Sequence, residues 1–331
     1  MLGRVTSKDV AREAGVSQTT VSFVLNGKDE HGIAAETRRL VLETADRLGY
    51  VPSGIGRAMR KGHGNVVLCV VPDFPVAEAM EQFKLSLGRS LAKAGYACVY
   101  LHHDQATVPL AQLWQHIQPA IVVAFGTLPP RDVRTLKQAE IPVLDGLFAP
   151  ENARVTGLDQ EAVGRLQIQH LADRGHQRIG IAALDDPRER PFSLPRVQGA
   201  TQACRDLGLP APEVIDVRYS RESAQAAVSE WTRGATPVTA VAAFNDLLAL
   251  AILASCRTQG IAVPDDLALI GVDDLPVASL AIPALTTIAM DLTAIAAGLT
   301  ETILSQVGER APATPAGPGG DILTLVRRDT T

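Results

Sequence analysis

Residues 16–27 read VSQTTVSFVLNG, and this stretch decides how the N-terminal part of the chain folds. Val21, Val24 and Leu25 stand at positions i, i+3 and i+4, so they share one face of a helix. The opposite face carries hydroxyl and amide side chains, Gln18 among them, and a single ring, Phe23. A face that serves only solubility more often carries Glu and Lys. The helix is therefore interpreted as packing on its apolar side and contacting another molecule on its polar side.

A second short helix is predicted just before this one. Thr6 and Asp9 stand three apart, so the hydroxyl of Thr6 can cap the helix while the carboxylate of Asp9 reaches back to the cap's amide. Gly15 ends this helix, and Ser17 caps the next one. Two short helices joined by a tight turn at a glycine predict a helix-turn-helix, whose second helix enters the major groove of DNA.

A third helix and a basic segment follow. The run AAETRRLVLETADRLGY (34–50) has its predicted cap at Ala34 or Ala35, which cannot bond the free amides, at a cost of about 1 kcal/mol. The next segment, GYVPSGIGRAMRKGHG (49–64), is too short and polar to bury itself. It is either a flexible linker or a hinge that becomes helical only on DNA, with Arg57 on its basic face. The inward stripe of the third helix is predicted to comprise Leu40, Val41, Thr44, Ala45 and Leu48.

Composition limits the class of protein. A chain of 331 residues with 46% hydrophobic residues predicts a globular protein of two or three domains. No apolar run approaches the ~20 residues that span a bilayer, and the start lacks a secretory apolar segment, so a cytoplasmic location is expected. The four cysteines are far apart, which favours buried free thiols over a disulfide framework or a zinc site.

Charge is unevenly distributed along the chain. The net charge is −5, but residues 1–62 hold ten Lys and Arg against seven Asp and Glu, or +3, which leaves −8 for the remainder. A basic head on an acidic body is typical of a nucleic-acid binder with a second function elsewhere, although the signal is weak alone.

Short β-rich runs alternate with helical runs from residue 66 onward, in two series. This alternation predicts parallel sheets covered by helices on both faces, and two series predict two similar lobes with a ligand cleft at the carboxyl ends of their strands. The strand candidates are VVLCVV (66–71), ACVYLHH (97–103), AIVVAFG (120–126), IPVLDG (141–146), RIGIAAL (178–184), EVIDVR (213–218), AVAAF (240–244) and LALIGVDD (267–274). Helices are predicted near 77–94, 107–117, 130–139, 160–174, 196–208, 220–233 and 245–259.

Candidate ligand-binding residues follow from the strand ends. Carboxylates and a guanidinium beside an aromatic face suit the vicinal hydroxyls of a sugar or nucleoside. The alternative is structural, since Asn245 and Asp246 could equally cap a helix, and Asp274 could cap a turn. The residues just past a predicted strand are Asp73, Phe74, Asp145, Asn245, Asp246, Asp273 and Asp274, and Arg196 and Tyr219 lie on the same side.

The motifs of an enzyme are not found. The sequence has no G-x-x-x-x-G-K-[ST] phosphate loop, no G-x-G-x-x-G after the first strand and no H-E-x-x-H metal pair. His102 and His103 are neighbours in a predicted strand and point to opposite faces. No catalytic residue, cofactor or metal site is predicted.

Several segments resemble the lactose-repressor (LacI/GalR) family of bacterial transcription regulators. The head matches through VTSKDVAREAGVSQTTVSFVLNG and ETRRLVLETADRLGYVPS, and the body through NARVTGLDQEAVGRLQIQHLADRGHQRIG, TAVAAFNDLLALAILASCRTQGIAVPDDLALIGVDD, PALTTIAMD and LVRRDTT. The resemblance spans nearly the whole chain. It implies a multidomain fold, in which an all-α helix-turn-helix head precedes an α/β, two-lobed, periplasmic-binding-protein-like body of parallel sheets flanked by helices.

The resemblance also implies domain bounds. We expect a DNA-binding head at 1–49, a hinge at 50–64, and an effector-binding and dimerisation body at 65–331. The N-lobe then comprises about 65–157 and 290–320, and the C-lobe about 158–288 and 321–331, with crossings near 157, 289 and 321.

The implied function is repression of transcription by a homodimer or higher oligomer that binds a near-palindromic operator in double-stranded DNA. A sugar-like or nucleoside effector would bind in the cleft, with Asp145, Arg196, Asn245, Asp273 and Tyr219 as its best-matched contacts. Base edges would be read by Gln18, Thr19 and Phe23, phosphates contacted by Ser7, Ser17, Thr20, Ser22 and Asn26, and the minor groove entered by the hinge with Arg57 and, as an apolar wedge, Met59.

Departures from the family pattern keep two alternatives open. Met290 stands where many sugar-responsive members carry a polar pocket residue, and the loop PDFPVAEAM (72–80) looks shortened. A body that only dimerises, without an effector, is therefore the second hypothesis, and a solute-binding protein is a third that the helix-turn-helix disfavours. Phe23 replaces the arginine of most relatives, so it either contacts a thymine methyl or folds back on the first helix.

Overall fold

The computed structural model describes residues 5–25, 32–50, 64–73, 78–102, 117–149, 152, 158–233, 235–309 and 322–331. The chain divides into two compact units, residues 1–65 and 66–331. Within the described ranges, no helix is long and apolar enough to cross a membrane. The predicted helix near 107–117 lies almost wholly outside the described residues, as does most of the predicted hinge.

The first unit is a bundle of three helices, α1 (Ser7–Glu13), α2 (Gln18–Leu25) and α3 (Ala35–Arg47). The predicted capping box is present: the amide of Thr6 donates to the Asp9 carboxylate at 2.9 Å, and the amide of Asp9 donates to the Thr6 hydroxyl at 3.4 Å. Gly15 has φ +64°, a left-handed conformation that lets the chain turn tightly between α1 and α2. The helix-turn-helix is therefore confirmed.

A small apolar core holds these helices together, and Val10, Val21, Val24 and Val41 lie at its centre. Arg47 of α3 also pairs with Glu13 of α1 at 3.0 Å.

The inward position predicted for Leu40 was wrong, because its side chain is 46% exposed. The buried stripe of α3 runs through Val41, Thr44 and Ala45, and Leu40 lies about 100° around the helix from Val41. Ala34 stands at the cap of α3 without a side-chain bond, as predicted.

The first lobe of the second unit, here the N-lobe, comprises β1 (Val66–Val71), α4 (Glu78–Lys93), β2 (Ala97–His102), β3 (Ile121–Ala124), α5 (Pro130–Gln138), β4 (Val143–Leu144) and, from later in the chain, α11 (Leu292–Gln306). Its four strands form a parallel sheet in the order β2-β1-β3-β4. Alternate residues of each strand face opposite sides of the sheet, and helices cover both sides. Helices α4 and α11 pack together on one face, and α5 contributes Leu136 to the core on the other.

The second lobe, here the C-lobe, comprises α6 (Gln160–Asp173), β5 (Ile179–Leu184), α7 (Arg190–Asp206), β6 (Glu213–Val217), α8 (Arg221–Thr232), β7 (Ala240–Ala243), α9 (Asp246–Gln259), β8 (Ala268–Val272), α10 (Pro276–Leu280), β9 (Thr286–Met290) and β10 (Leu323–Val326). Its six strands form a sheet in the order β10-β9-β8-β7-β5-β6, parallel except for β10, which is antiparallel to β9. Helices α6 and α7 cover one face, and α8 and α9 cover the other. The predicted α/β body is confirmed.

The chain passes between the lobes directly after β9. Strand β9 belongs to the C-lobe sheet, and the next helix, α11, packs on α4 of the N-lobe. Asp291 caps α11 by accepting from the amides of Thr293 at 3.0 Å and Ala294 at 2.9 Å. This passage lies where a crossing was predicted near 289, whereas those near 157 and 321 fall outside the described residues.

Helix α7 begins earlier than predicted, at Arg190 rather than near 196. Proline has no backbone N–H to donate, so it is disfavoured in the interior of a helix. The helix instead starts with Pro191 in its first turn, where a missing N–H has no partner to lose, and Pro195 lies inside it.

All four cysteines are free thiols, and Cys69, Cys204 and Cys256 are buried as predicted, whereas Cys98 is only partly buried. Cys69 and Cys98 lie on adjacent strands with their sulfurs 3.6 Å apart. Among the described residues, no group of His, Cys, Asp and Glu could hold a metal ion.

Helices α6 and α7 cross in backbone contact at two glycines, Gly164 of α6 and Gly199 of α7, and the stability of the protein should depend on this contact. A Cβ on Gly199 would collide with the backbone oxygen of Glu161, whereas a Cβ on Gly298 of α11 would meet nothing within 4 Å. We expect Gly199→Ala to lower the free energy of unfolding by about 3 kcal/mol through overpacking. The matched Gly298→Ala should raise it by up to ~1 kcal/mol. Urea unfolding of both variants measures the contrast, and equal effects would contradict the close crossing.

Candidate DNA interface and effector pocket

The amino-terminal ends of α1 and α2 are tied together by polar side chains. Gln18 donates from Nε2 to the hydroxyl of Ser7 at 2.9 Å, which joins the first residue of α2 to the first residue of α1. Ser17 accepts from the amide of Thr20 at 3.0 Å, so it caps α2 as predicted. Because helix amino termini carry free amides and a partial positive charge, this paired edge suits phosphate oxygens.

The side chains predicted to meet DNA differ in exposure. Ser17, Gln18 and Thr19 are exposed, and no acidic residue occurs in the first turn of α2. Phe23 is half-buried. Ser7, Thr20 and Ser22 are also half-buried. Asn26, Arg57 and Met59 lie outside the described residues.

A cavity of about 80 Å³ lies between the two lobes, at the carboxyl ends of the C-lobe strands. Its walls differ in chemistry. Among the described residues, every polar side chain that lines the cavity comes from the C-lobe, whereas the N-lobe contributes apolar groups such as Met80, Phe83 and Phe148. The polar lining consists of Gln160, Glu189, Arg196, Asn245 and Asp273.

Arg196 is the buried cation of this polar wall, with 7% of its surface exposed. Its Nε donates to Oε1 of Gln160 at 2.7 Å, and Nη1 donates to the backbone oxygen of Phe244. The guanidinium carbon also lies 4.7 Å from the centre of the Phe244 ring. The glycines Gly164 and Gly199 make this possible, since they bring α7 close enough for Arg196 to meet Gln160 of α6.

Two carboxyl groups share the field of Arg196. Burial raises the pKa of Asp273 to about 7, against the opposing effect of the guanidinium. Burial likewise raises the pKa of Glu189, and Arg196 again opposes the shift. Near neutral pH, Asp273 can therefore either accept or donate a hydrogen bond, which suits a ligand hydroxyl.

Asn245 caps a helix and also lines the cavity. Its Oδ1 accepts from the amide of Leu248 at 3.0 Å, which caps α9, while its Nδ2 donates to the hydroxyl of Tyr219 at 2.7 Å. Tyr219 itself is 47% exposed and does not line the cavity, so it lies one hydrogen bond behind Asn245.

The structure does not bring Asp145 to the cavity. Its Oδ1 accepts from the amide of Leu128 at 2.7 Å, so the carboxylate is used within the N-lobe loops. Asp73 also lies elsewhere, in a neighbouring cleft region of about 760 Å³, where it pairs with Arg188 of the C-lobe at 3.3 Å. Phe148 lines both spaces. Phe74 falls outside the described residues.

The sequence reasoning missed Gln160 and Glu189. Glu189 ends a short 3-10 helix, Pro187–Glu189, that lies between β5 and α7, so a rule that selects residues directly after a strand does not reach it. Gln160 follows a helix cap, Asp159, and nothing in the sequence marks it as the partner of Arg196. Asp274 pairs with Arg328 rather than capping a turn.

Comparison with known proteins decides the family. Residues 6–53 match the family of bacterial regulatory proteins, lacI family, and residues 168–331 match the periplasmic binding protein-like domain. The HTH-type transcriptional repressor CytR of Escherichia coli (strain K12) is 30% identical over 296 residues, covering 86% of this chain and 84% of that protein. The HTH-type transcriptional regulator MalR of Streptomyces coelicolor is 30% identical over 320 residues, covering 91% and 89%. The chain belongs to the lacI family. It is a DNA-binding transcription regulator, as its sequence predicted.

Solved structures share the fold of this lacI-family chain. The Lac repressor dimer bound to operator and an anti-inducer superposes with a TM-score of 0.72 at 22% identity, covering 99% of both chains. The cellobiose complex of the regulator CelR superposes with a TM-score of 0.63 at 24% identity, covering 99% and 100%.

The shifted pKa of Asp273 predicts a pH dependence of stability. The group titrates near pH 7 when folded and near its ordinary 3.8 when unfolded, so stability falls as the pH rises between these values. Asp273→Asn does not titrate, so its stability relative to the wild type should rise by up to ~1.4 kcal/mol per pH unit and level off above about pH 8. Urea unfolding at pH 5 to 8 measures this difference. A difference between Asp273→Asn and the wild type that stays constant from pH 5 to 8 would contradict the assignment.

Proposed function

We propose that this protein is a repressor that binds a near-palindromic operator as a homodimer and is controlled by a small uncharged molecule, a sugar or nucleoside, in the cleft between its lobes. The observation that carries the proposal is the amino-terminal edge of α2, which presents Ser17, Gln18 and Thr19 to solvent beside the start of α1. Binding to DNA would place the protein in the cytoplasm.

The DNA contacts divide into two kinds. Gln18, Thr19 and Phe23 are assigned to base edges, because they lie on the outward face of α2, and an amide such as that of Gln18 can bond an adenine edge. Ser7, Ser17, Thr20 and Ser22 are assigned to phosphates, which position the head without specifying sequence. Asn26, Arg57 and Met59 keep the roles that the sequence suggested.

The proposed effector chemistry follows from the polar wall. Glu189 and Asp273 accept from hydroxyl groups, Arg196 donates, and the aromatic rings of the cavity cover an apolar face. A phosphorylated ligand fits poorly, because its charge would be buried beside two carboxyl groups and one guanidinium. Among solved structures that share the fold, one is a complex of the regulator CelR with cellobiose and another is an Enterococcus faecium regulator with bound ribose.

The second subunit is assigned to an apolar patch of the C-lobe, here named the dimer face. It consists of Leu247, Val277, Leu280 and Ile282, whose side chains are 41%, 41%, 76% and 82% exposed. A soluble protein rarely leaves such side chains grouped in water without a partner. The structural likeness to a repressor dimer supports a second copy of the chain as that partner.

An effector-independent regulator is the second candidate, and Met290 favours it. This apolar residue lines the cavity where a polar contact was expected from the family pattern. On that hypothesis the body would only dimerise.

Base reading by α2 gives a specificity prediction. Selection of bound sequences from random duplex DNA should return a near-palindrome with the wild-type protein. Phe23→Arg should shift the preference toward G·C at one position in each half-site, because arginine can bond guanine by two donors. Gln18→Ala should relax preference at another position, whereas Ser22→Ala should weaken binding to all sequences alike. An unchanged preference in Phe23→Arg would show that the ring reads nothing.

Effector binding can be tested by thermal shift with ribose, cellobiose and the common ribonucleosides. A ligand present at 100 times its dissociation constant should stabilise the protein by about 2.7 kcal/mol. Arg196→Lys should abolish this shift, because a lysine cannot replace both donor positions. The matched Arg205→Lys, on the exposed side of α7, should keep it. If no compound stabilises a wild type that still selects an operator, the effector-independent candidate is favoured.

A further inference from the structure

Asp246 is a fully buried carboxylate at the first position of α9, directly after Asn245 of the cavity. It does not line the cavity. One oxygen accepts from the amide of Leu275 at 2.8 Å, and the other accepts from the hydroxyl of Thr287 at 2.6 Å. Space for it is provided by Gly271 of β8, where a Cβ would collide with the carboxylate.

The two bonds fasten a turn that the backbone does not favour. The consecutive residues Asp273 and Asp274 have φ values of +106° and +51°. Residues other than glycine rarely adopt such a backbone conformation. The Thr287 hydroxyl that donates to Asp246 also lies 3.4 Å from the amide of Asp274, which donates to it. A short chain of hydrogen bonds therefore holds the strained turn against β9, and this turn aims Asp273 toward the cavity.

The same carboxylate holds the start of α10. Leu275 is the cap residue of this helix, and its side chain cannot accept from the free amides. Two residues further on, Val277 belongs to the dimer face, and Leu247 of the same face directly follows Asp246. Along the chain, Asp246 therefore stands between a cavity residue, Asn245, and a dimer-face residue, Leu247. Its bonding partner Leu275 likewise stands between Asp273 of the cavity and Val277 of the dimer face.

We propose that Asp246 is a positioning residue that couples the effector cavity to the dimer face, by holding both the turn that carries Asp273 and the helix that carries Val277 and Leu280. The proposal rests on the proposed function, since it takes the cavity as the effector site and the apolar patch as the dimer contact. A ligand that pulls on Asp273 then acts on the dimer contact through one carboxylate.

The experiment combines amide hydrogen exchange with sedimentation equilibrium of the full chain. Asp246→Asn offers one acceptor where two donors must be satisfied, and Thr287→Val removes the hydroxyl that links the turn to β9. In both variants, the amides of Asp274 and Leu275 should exchange at least tenfold faster, and the dimer dissociation constant should rise at least fivefold. Thr287→Ser keeps the hydroxyl and should restore both quantities to within twofold of the wild type.

Two controls separate coupling from general loosening. Ile282→Asp places a charge on the dimer face and should raise the dimer dissociation constant without faster exchange at Leu275. Asp216→Asn should change neither quantity, and exchange in β5 and β6 should stay unchanged in every variant. If Asp246→Asn does not fold, Thr287→Val carries the test with Thr287→Ser as its reference.

The outcomes are distinct. A faster-exchanging turn with an unchanged dimer constant overturns the coupling, and an unchanged turn overturns the positioning role. A wild type that stays monomeric or selects no operator overturns the proposed function itself, whatever the exchange rates show.

Discussion

The burial of one guanidinium is the constraint on which the proposed effector site depends. Arg196 is almost completely withdrawn from water, and a buried charge is costly unless opposite charge and hydrogen-bond acceptors surround it. Gln160 and the backbone of Phe244 accept from it, while Glu189 and Asp273 supply negative charge. The two carboxyl groups in turn tolerate burial together because the positive charge of the guanidinium stabilises the ionised form of each. The burial of each charged group in this cluster therefore depends on the presence of the others.

That arrangement is built by backbone contacts rather than by the charged groups themselves. Gly164 and Gly199 let α6 and α7 cross without intervening side chains. Gln160, at the start of α6, therefore reaches Arg196 of α7. Gly271 does the same for Asp246 against β8. Glycine is disfavoured inside helices and strands, so these positions lower the local stability of their elements while they permit the close approach. The polar wall of the cavity depends on this close approach of the helices.

The sequence predicted the architecture well, because strand and helix periods report which faces are buried. It predicted positions after strands as candidate contacts, but it could not separate Asp145 from Asp273. Both are carboxylates at a strand end, and only the tertiary structure shows that one is bonded to Leu128 while the other faces Arg196. The prediction for Leu40 was wrong for a related reason, since an apolar residue at the edge of a helical stripe can be either buried or exposed. Gln160 was missed because its partner is 36 residues away, across a helix contact that no local pattern encodes.

The two unlike walls of the cavity suggest how a ligand could change the lobe angle. A ligand shifts a conformational equilibrium only by its difference in affinity for the two states. Hydrogen bonds to the polar wall involve the C-lobe alone, so they are formed whether the lobes are near or apart, and they contribute affinity without selecting a state. Contacts with Met80, Phe83 and Phe148 require the N-lobe to be near, and burying that apolar surface favours closure. In this scheme the polar wall determines which molecule binds, and the apolar wall determines how binding changes the lobe angle. An effector with a polar side and an apolar side is the kind of molecule that would use both.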